Sequence, residues 1–126
     1  MEACRIRGAG VLLPVSALPS PYGIGTLGNA AYRFIDQLHA AGQTYWQVLP
    51  IGPTGFGNSP YQSYSAFAGN PYFIDLDRLA EQGLLTQNDI LKFDWGENRS
   101  CISYDKIAEH RLQLLQTAYE NSNHLY

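Results

Sequence analysis

Two short apolar runs on either side of a helical repeat limit what this chain can fold into. Val11-Leu12-Leu13 and Tyr45-Trp46-Gln47-Val48-Leu49 each read as a buried strand. Between them Ala31, Phe34, Ile35, Leu38 and Ala41 fall on one face of a helix, with Arg33, Asp36, Gln37 and His39 on the other. Asn29 or Thr26 is placed to cap its start, and Gly42 suits the left-handed position after its end. Strand one is expected over Val11 to Pro14 and strand two over Tyr45 to Leu49. A strand, helix and strand at this spacing form a parallel βαβ unit with a right-handed crossover, here residues 1–51.

Regularity lapses after strand two. For about twenty residues Gly, Pro, Asn, Ser and aromatics replace any period, longer than a usual strand-to-helix connection and therefore a functional insertion. Tyr72 to Asp75 is expected as a short strand. Leu76 to Gln82 reads as a helix capped by Asp75 and closed by Gly83, and Thr86 with Asp89 as a capping box for a helix over Gln87 to Lys92. The segment from Tyr104 to Glu120 reads as a longer amphipathic helix. Its apolar face is expected to carry Ile107, Ala108, Leu112, Leu115 and Tyr119, with Arg111 and Leu114 blurring the stripe. Residues 52–126 are thus a loop followed by a helical insertion, and the fold class is α/β.

Several functions are disfavoured by composition. With 45% hydrophobic and 15% charged residues among 126, the chain can bury a core. A net charge of -3 and only eight scattered Lys and Arg offer no stripe for nucleic acid. Neither the N-terminal MEACRIRGAG nor any later run has the apolar length for a signal core or a bilayer span, so a cytoplasmic location and no membrane partner are expected. Cys4 and Cys101 stand apart, and His39, His110 and His124 are too isolated to complete a metal set with them.

Gly23-Ile24-Gly25-Thr26-Leu27-Gly28 matches GxGxxG before a helix, the pattern of a dinucleotide-binding turn. Pro14 to Tyr22 separates it from strand one, however, and strand two ends on Val48-Leu49-Pro50 with no acid for a ribose. Loop geometry is the better reading. Asp75 and Asp77 have the spacing of a carboxylate pair on a strand, yet DRLAEQG after Asp75 reads better as a cap and a first-turn acid. Glu81, Glu97, Glu109 and Glu120 lie in surface contexts. Ser59-Pro60-Tyr61-Gln62-Ser63-Tyr64-Ser65 differs, concentrating rings and neutral hydrogen-bonding groups. A pyranose has an apolar face and a hydroxyl rim, which such a surface complements. A tyrosine-rich loop packed on its own scaffold is the alternative.

Three ordered segments, GAGVLLPVSALPSPYGIGTLG, AYRFIDQLHAAGQTYWQVLPIGPTG and NSPYQSYSAFAGNPYFIDLDRLAEQGLLT, resemble the amylomaltases or disproportionating enzymes. These are 4-α-glucanotransferases of glycoside hydrolase family 77 in the α-amylase superfamily. The resemblance implies the start of a (β/α)8 TIM barrel, incomplete in 126 residues, whose unpaired edges would leave the chain unstable by itself. It implies transfer of α-1,4-glucan segments between maltooligosaccharides by a retaining mechanism, with an Asp nucleophile and a Glu acid/base from later strands. It implies no cofactor, and no catalytic residue within this chain. Tyr61 of the SPYQ motif is expected to line the sugar site, Ser59 and Asn58 to contact glucan or hold the loop, and Phe56 to occupy an aromatic glucan-contact position without a hydroxyl. Many relatives have His where this chain has Pro14 and Ser where it has Ala17, so hydrogen bonds from those side chains are lost here. A related α-glucan hydrolase, or a non-catalytic glucan-binding module, remains compatible with these motifs, and the oligomeric state is left open.

Overall fold

The computed structural model describes residues 7–96 and 100–123. Cys4, Glu97 and His124, weighed above as ligands or acids, lie outside them. Strand β1 (Gly10–Leu12) pairs in parallel with β2 (Tyr45–Gln47), Val11 opposite Trp46. Helix α1 (Asn29–Ala40) forms the crossover. After the long loop come a 3-10 turn over Pro71–Phe73 and three helices, α2 (Leu76–Glu81), α3 (Gln87–Leu91) and α4 (Tyr104–Asn121). The two-stranded parallel sheet and its crossover helix make the chain α/β, as expected. Pro71–Phe73 replaces the short strand expected at Tyr72 to Asp75, because the Asn70 side chain accepts from the Tyr72 amide and turns the backbone at Pro71.

Both strands are shorter than the apolar runs that signalled them, and they are not buried. Val11, Leu13 and Trp46 share the face that meets α1, where the Trp46 ring stands edge-on to Phe34 at 5.1 Å and its indole N–H donates to the Leu13 carbonyl. On the other face Leu12 and Tyr45 are 55% and 57% exposed. Only one layer of side chains, from α1 and the loop after β1, packs on this sheet among the described residues. Val15, Leu18 and Ala31 form that layer's buried centre. Ile35 on α1 and Ala41 just past its end remain exposed, so the apolar face in contact is narrower than its periodicity suggested.

The start of α1 departs from the expected cap. Gly28 occupies the cap position with no side-chain bond, and Asn29 is the first helical residue. Thr26 is committed elsewhere: its hydroxyl donates to Asp75 Oδ2 at 2.5 Å, across 49 residues of sequence. Asp75 packs so closely under Gly28 that a β-carbon there would overlap its carboxylate. Glycine is therefore the cap because it leaves room for the tie, not for its own capping power.

A second core joins the helices. Leu76, Leu85, Ile90, Leu114, Ala118 and Tyr22 are buried together, with Phe93 and Trp95 against them. Local chemistry forms α2 and α3 as the sequence suggests. Asp75 Oδ1 accepts from the Arg78 amide, Gly83 takes a φ of 75°, and Thr86 with Asp89 makes both bonds of a capping box. Lys92 and Thr86 together hold the Asp89 carboxyl well below the usual range.

Tyr22 ties the glycine loop to this core by donating to Asp77 Oδ1 at 2.6 Å. Burial first, and that bond second, push its phenol up to about 12. Because the folded value is raised, the contribution to stability is whole below pH 10 and is lost as pH rises through about 12. Thermal midpoints of the full-length protein measured from pH 8 to 12 should therefore fall steeply above pH 10, and Tyr22→Phe should flatten part of that fall. An identical alkaline slope in the variant would contradict the Tyr22–Asp77 tie.

The buried stripe of α4 is not the expected one. Ile107, Arg111, Leu114 and Ala118 face the core, whereas Leu112 and Tyr119 are 50% and 57% exposed. These four lie at i, i+4, i+7 and i+11, a regular helical face whose second member is a charge. Arg111 is fully buried. Its Nη2 donates to the Ile74 carbonyl at 2.5 Å, joining α4 to the turn before α2, while Nε and Nη1 are enclosed without partners. Burial pushes the guanidinium down to about 10 against the favourable pull of Asp75.

Candidate functional site

The loop after β2 is structured despite its composition. The Asn70 amide donates to the Ile51 carbonyl and closes its base, and Thr54 bridges Ser63 in antiparallel fashion higher up. Gly55 N–H donates to the Gln62 carbonyl across the same neck. Within the tip, Gly57 and Asn58 take φ values of 86° and 55°. Beyond Ser63, the Ser65 hydroxyl accepts from the Phe67 and Ala68 amides, one serine thereby replacing a turn of backbone pairing.

Below this neck lies a cavity of about 190 Å³ at the C-terminal ends of the two strands. Pro14, Val15 and Ser16 line it from the segment after β1, Leu49 and Pro50 from that after β2, and Ile24 from the glycine loop. Thr54, Asn58 and Pro60 descend from the long loop; Asn70, Phe73 and, from the start of α4, Tyr104 complete it. This is where a parallel α/β sheet places its ligands. Burial, with the neighbouring Tyr72 phenol second, raises the Tyr104 phenol above its ordinary value. A second and broader concavity, between the start of α1 and helices α2 and α3, is distant from the loop and lined mainly by surface polar groups.

The sequence-expected residues divide between cavity and solvent. Asn58 lines the cavity. Ser59 is half-buried, its hydroxyl accepting from the Tyr61 amide at 3.4 Å, a loop-holding contact. Tyr61 and Phe56 stand outside the cavity, 72% and 103% exposed, and Tyr64 and Phe67 are exposed likewise at 77% and 100%. The loop thus presents four rings outward on a pinned backbone, with no core of its own to receive them. Thr54, Ile24, Asn70 and Tyr104 are members of the cavity that the sequence did not single out. Tyr104 had no local signal, since it arrives by the packing of α4 some fifty residues later.

Carboxylates in the described part are engaged structurally or face solvent. Asp75 caps α2 and receives Thr26, Asp77 receives Tyr22, and Asp94 pairs with Lys106. No group of three or more His, Cys, Asp or Glu among the described residues is arranged to hold a metal ion. Rings and neutral hydroxyls without a charged pair can bind and orient a polyol; they supply no nucleophile.

A family model described as 4-alpha-glucanotransferase matches residues 13–125. The chain belongs to the 4-α-glucanotransferase family. A 4-alpha-glucanotransferase of Clostridium butyricum is 53% identical over 109 residues, covering 86% of this chain and 22% of that protein. One from Thermus thermophilus is 59% identical over 83 residues, 66% of this chain and 17% of the relative. Among solved structures, an amylomaltase from Streptococcus agalactiae in complex with acarbose superposes with a TM-score of 0.88 at 40% identity, over 92% of this chain and 23% of that one. The chain thus spans about a fifth of the length of the family relatives it matches. Among the described residues no helix is long and apolar enough to cross a membrane.

Proposed function

We propose that this chain is the first part of a 4-α-glucanotransferase of the (β/α)8 barrel type. Residues 1–51 are its first βαβ unit, and 52–126 its active-site loop and helical insertion. The enzyme transfers α-1,4-glucan segments between maltooligosaccharides in the cytoplasm by retaining double displacement. Its nucleophile and acid/base are carboxylates contributed by the further length that the relatives possess. Tyr61, Ser59, Asn58 and Phe56 form a wall that binds the glucan, Tyr61 foremost. The wall stacks sugar faces on its rings and receives hydroxyls on its neutral groups. Cofactors and metals have no part in it.

One observation carries this reading: a backbone-pinned loop at the C-terminal ends of parallel strands holds Phe56 and Tyr61 open to solvent over a cavity lined without charge. Rings held on a fixed loop offer the apolar face of a sugar a surface to stack on. The names of the relatives supply the reaction, and the neighbouring structure's acarbose complex is consistent with a sugar-like occupant.

In the full-length protein, Tyr61→Ala should lower kcat/KM for maltotriose disproportionation about tenfold, the loss expected from one sugar–ring contact. Chain-length redistribution and free glucose, followed together, make the check. Unchanged kinetics would remove Tyr61 from the wall, and glucose release without longer products would favour the hydrolase.

A further inference from the structure

We infer that Asn70 is a positioning residue for the glucan wall: it fastens the exit of the long loop to its entry and so sets where Tyr61 stands. Asn70 is polar and only 8% exposed, with both backbone groups and its side chain bonded. Its amide donates to the Ile51 carbonyl at 2.9 Å, which joins the two ends of the loop. Its side-chain Oδ1 accepts from the Tyr72 amide at 2.9 Å and its carbonyl from the Phe73 amide at 3.1 Å, together holding the turn over Pro71–Phe73. That turn is itself anchored. Phe73 packs against the core beneath the sheet, and its carbonyl accepts from the Leu27 amide of the glycine loop at 2.9 Å.

The loop depends on this joint because its rings do not hold it. Phe56, Tyr61, Tyr64 and Phe67 are all exposed, and the Thr54–Ser63 bridge and the Gly55–Gln62 bond tie loop residues to one another. Those internal bonds keep the loop's shape. Its entry continues directly from β2, so the exit is the end that Asn70 places. Without the side-chain bond the turn loosens, Tyr61 is out of place for a larger share of the time, and apparent affinity falls by the fraction of loops left competent. A neutral amide suits the position: Asn, Asp and Ser accept about equally well at a cap, but this side chain borders a cavity lined without charge, where a carboxylate would stand unpaired. The assignment rests on the glucan-binding reading above and adds to it a residue that acts through Tyr61.

The test is a double-mutant cycle in the full-length protein between Tyr61→Ala and Asn70→Ala, which removes the acceptor for the Tyr72 amide, with Asn70→Ser, which restores one, alongside. Asn70→Ala should raise KM for maltotriose about fivefold with kcat near the parent's, the loss of competent loop that one missing cap bond brings. Asn70→Ser should recover most of it. Added to Tyr61→Ala, the Asn70→Ala change should have no further effect, because an absent ring cannot be misplaced. Losses that multiply in the double variant overturn the assignment, as does a parental KM in Asn70→Ala or a failure of Asn70→Ser to recover it. Gly42→Ala, strained at the opposite end of β2, should keep the parental KM; a rise there makes lost stability the cause and overturns the assignment too. Should Asn70→Ala not fold, Asn70→Gly takes its place, since glycine lacks the acceptor but is a milder loss at a cap. If neither folds, Asn70 is a determinant of the fold and the assignment falls. Where Tyr61→Ala transfers like the parent, the wall reading falls and chymotrypsin cleavage of the loop decides the joint by itself: faster cleavage in Asn70→Ala, slowed again in Asn70→Ser, upholds it, and parental cleavage overturns it.

Discussion

In the full-length protein, Arg111→Ala should lower stability by about 2–5 kcal/mol, and Arg111→Met should leave it unchanged or raise it. Both variants delete the same charge and the same hydrogen bond, so their difference isolates the packing of the side chain. Its side chain is fully buried between α4 and the turn before α2, and one of its three nitrogens is bonded, to the Ile74 carbonyl. Alanine opens a void the length of the side chain and leaves that carbonyl without its donor. Methionine also loses the bond, but it refills most of the volume with apolar surface and removes a desolvated charge, and exchanges of this kind are often neutral or stabilising. Denaturant or thermal unfolding of the three proteins decides it. If methionine destabilises as much as alanine, Nε and Nη1 have partners that the chain's own atoms do not provide.

Gly25→Ala in the full-length protein should abolish cooperative folding of this part, a loss of more than about 4 kcal/mol. A β-carbon at Gly25 would overlap the Val15 carbonyl oxygen and stand 2.7 Å from the Leu18 amide and 2.8 Å from its carbonyl, all backbone atoms of the 3-10 turn over Val15–Ala17 and its cap Leu18. That turn is held to Gly25 itself, whose amide donates to the Ser16 carbonyl at 3.0 Å. Val15 and Leu18 belong to the core beneath the sheet, so no side chain can swing aside to relieve the clash. Gly42→Ala is the control, because its β-carbon would meet nothing within 4 Å and the strain of its φ of 70° is the sole penalty, about 1–2 kcal/mol. Circular dichroism should show a cooperative melt for Gly42→Ala and none for Gly25→Ala; similar melts would mean that the turn can yield.

The same contact explains the glycine pattern that looked like a nucleotide fingerprint. Gly25 is small because another backbone passes against it, and Gly28 because Asp75 lies beneath it. Neither glycine spaces a phosphate. The sequence supplied the argument against a dinucleotide, an intervening segment that carries Pro19 and Pro21 and a missing acid, but not the reason for the glycines, which sits on segments as far away as Asp75.

Legibility followed the range of the interactions involved. Asp75 capping α2 and the Thr86–Asp89 box forming α3 could be read because each bond spans three residues. The cap of α1 could not, since Thr26, an apt candidate by type, is taken by Asp75 from across the chain. On α4 the charge of Arg111 argued for solvent, and a long-range carbonyl together with a core that encloses the guanidinium drew it inward, rotating the buried face from the one that Leu112 and Tyr119 suggested. Tyr61 and Phe56 were expected at the site on the family resemblance, and the structure leaves them on the outer surface of its loop. Asn58 alone of the four expected residues lines the cavity itself.

By itself, the sequence determined the order of strand, helix and strand, the caps of α2 and α3, the aromatic, uncharged character of the loop and the family to which the chain belongs. These depend on periodicity, on bonds between near neighbours and on residue types in order. Tertiary structure alone decided which face of α4 is buried, how far the strands are covered, and that Thr54 and Tyr104 meet at one cavity with Asn58. The physical reason is that burial and enclosure are properties of surfaces brought together from distant parts of the chain, and no local pattern encodes which segments will meet.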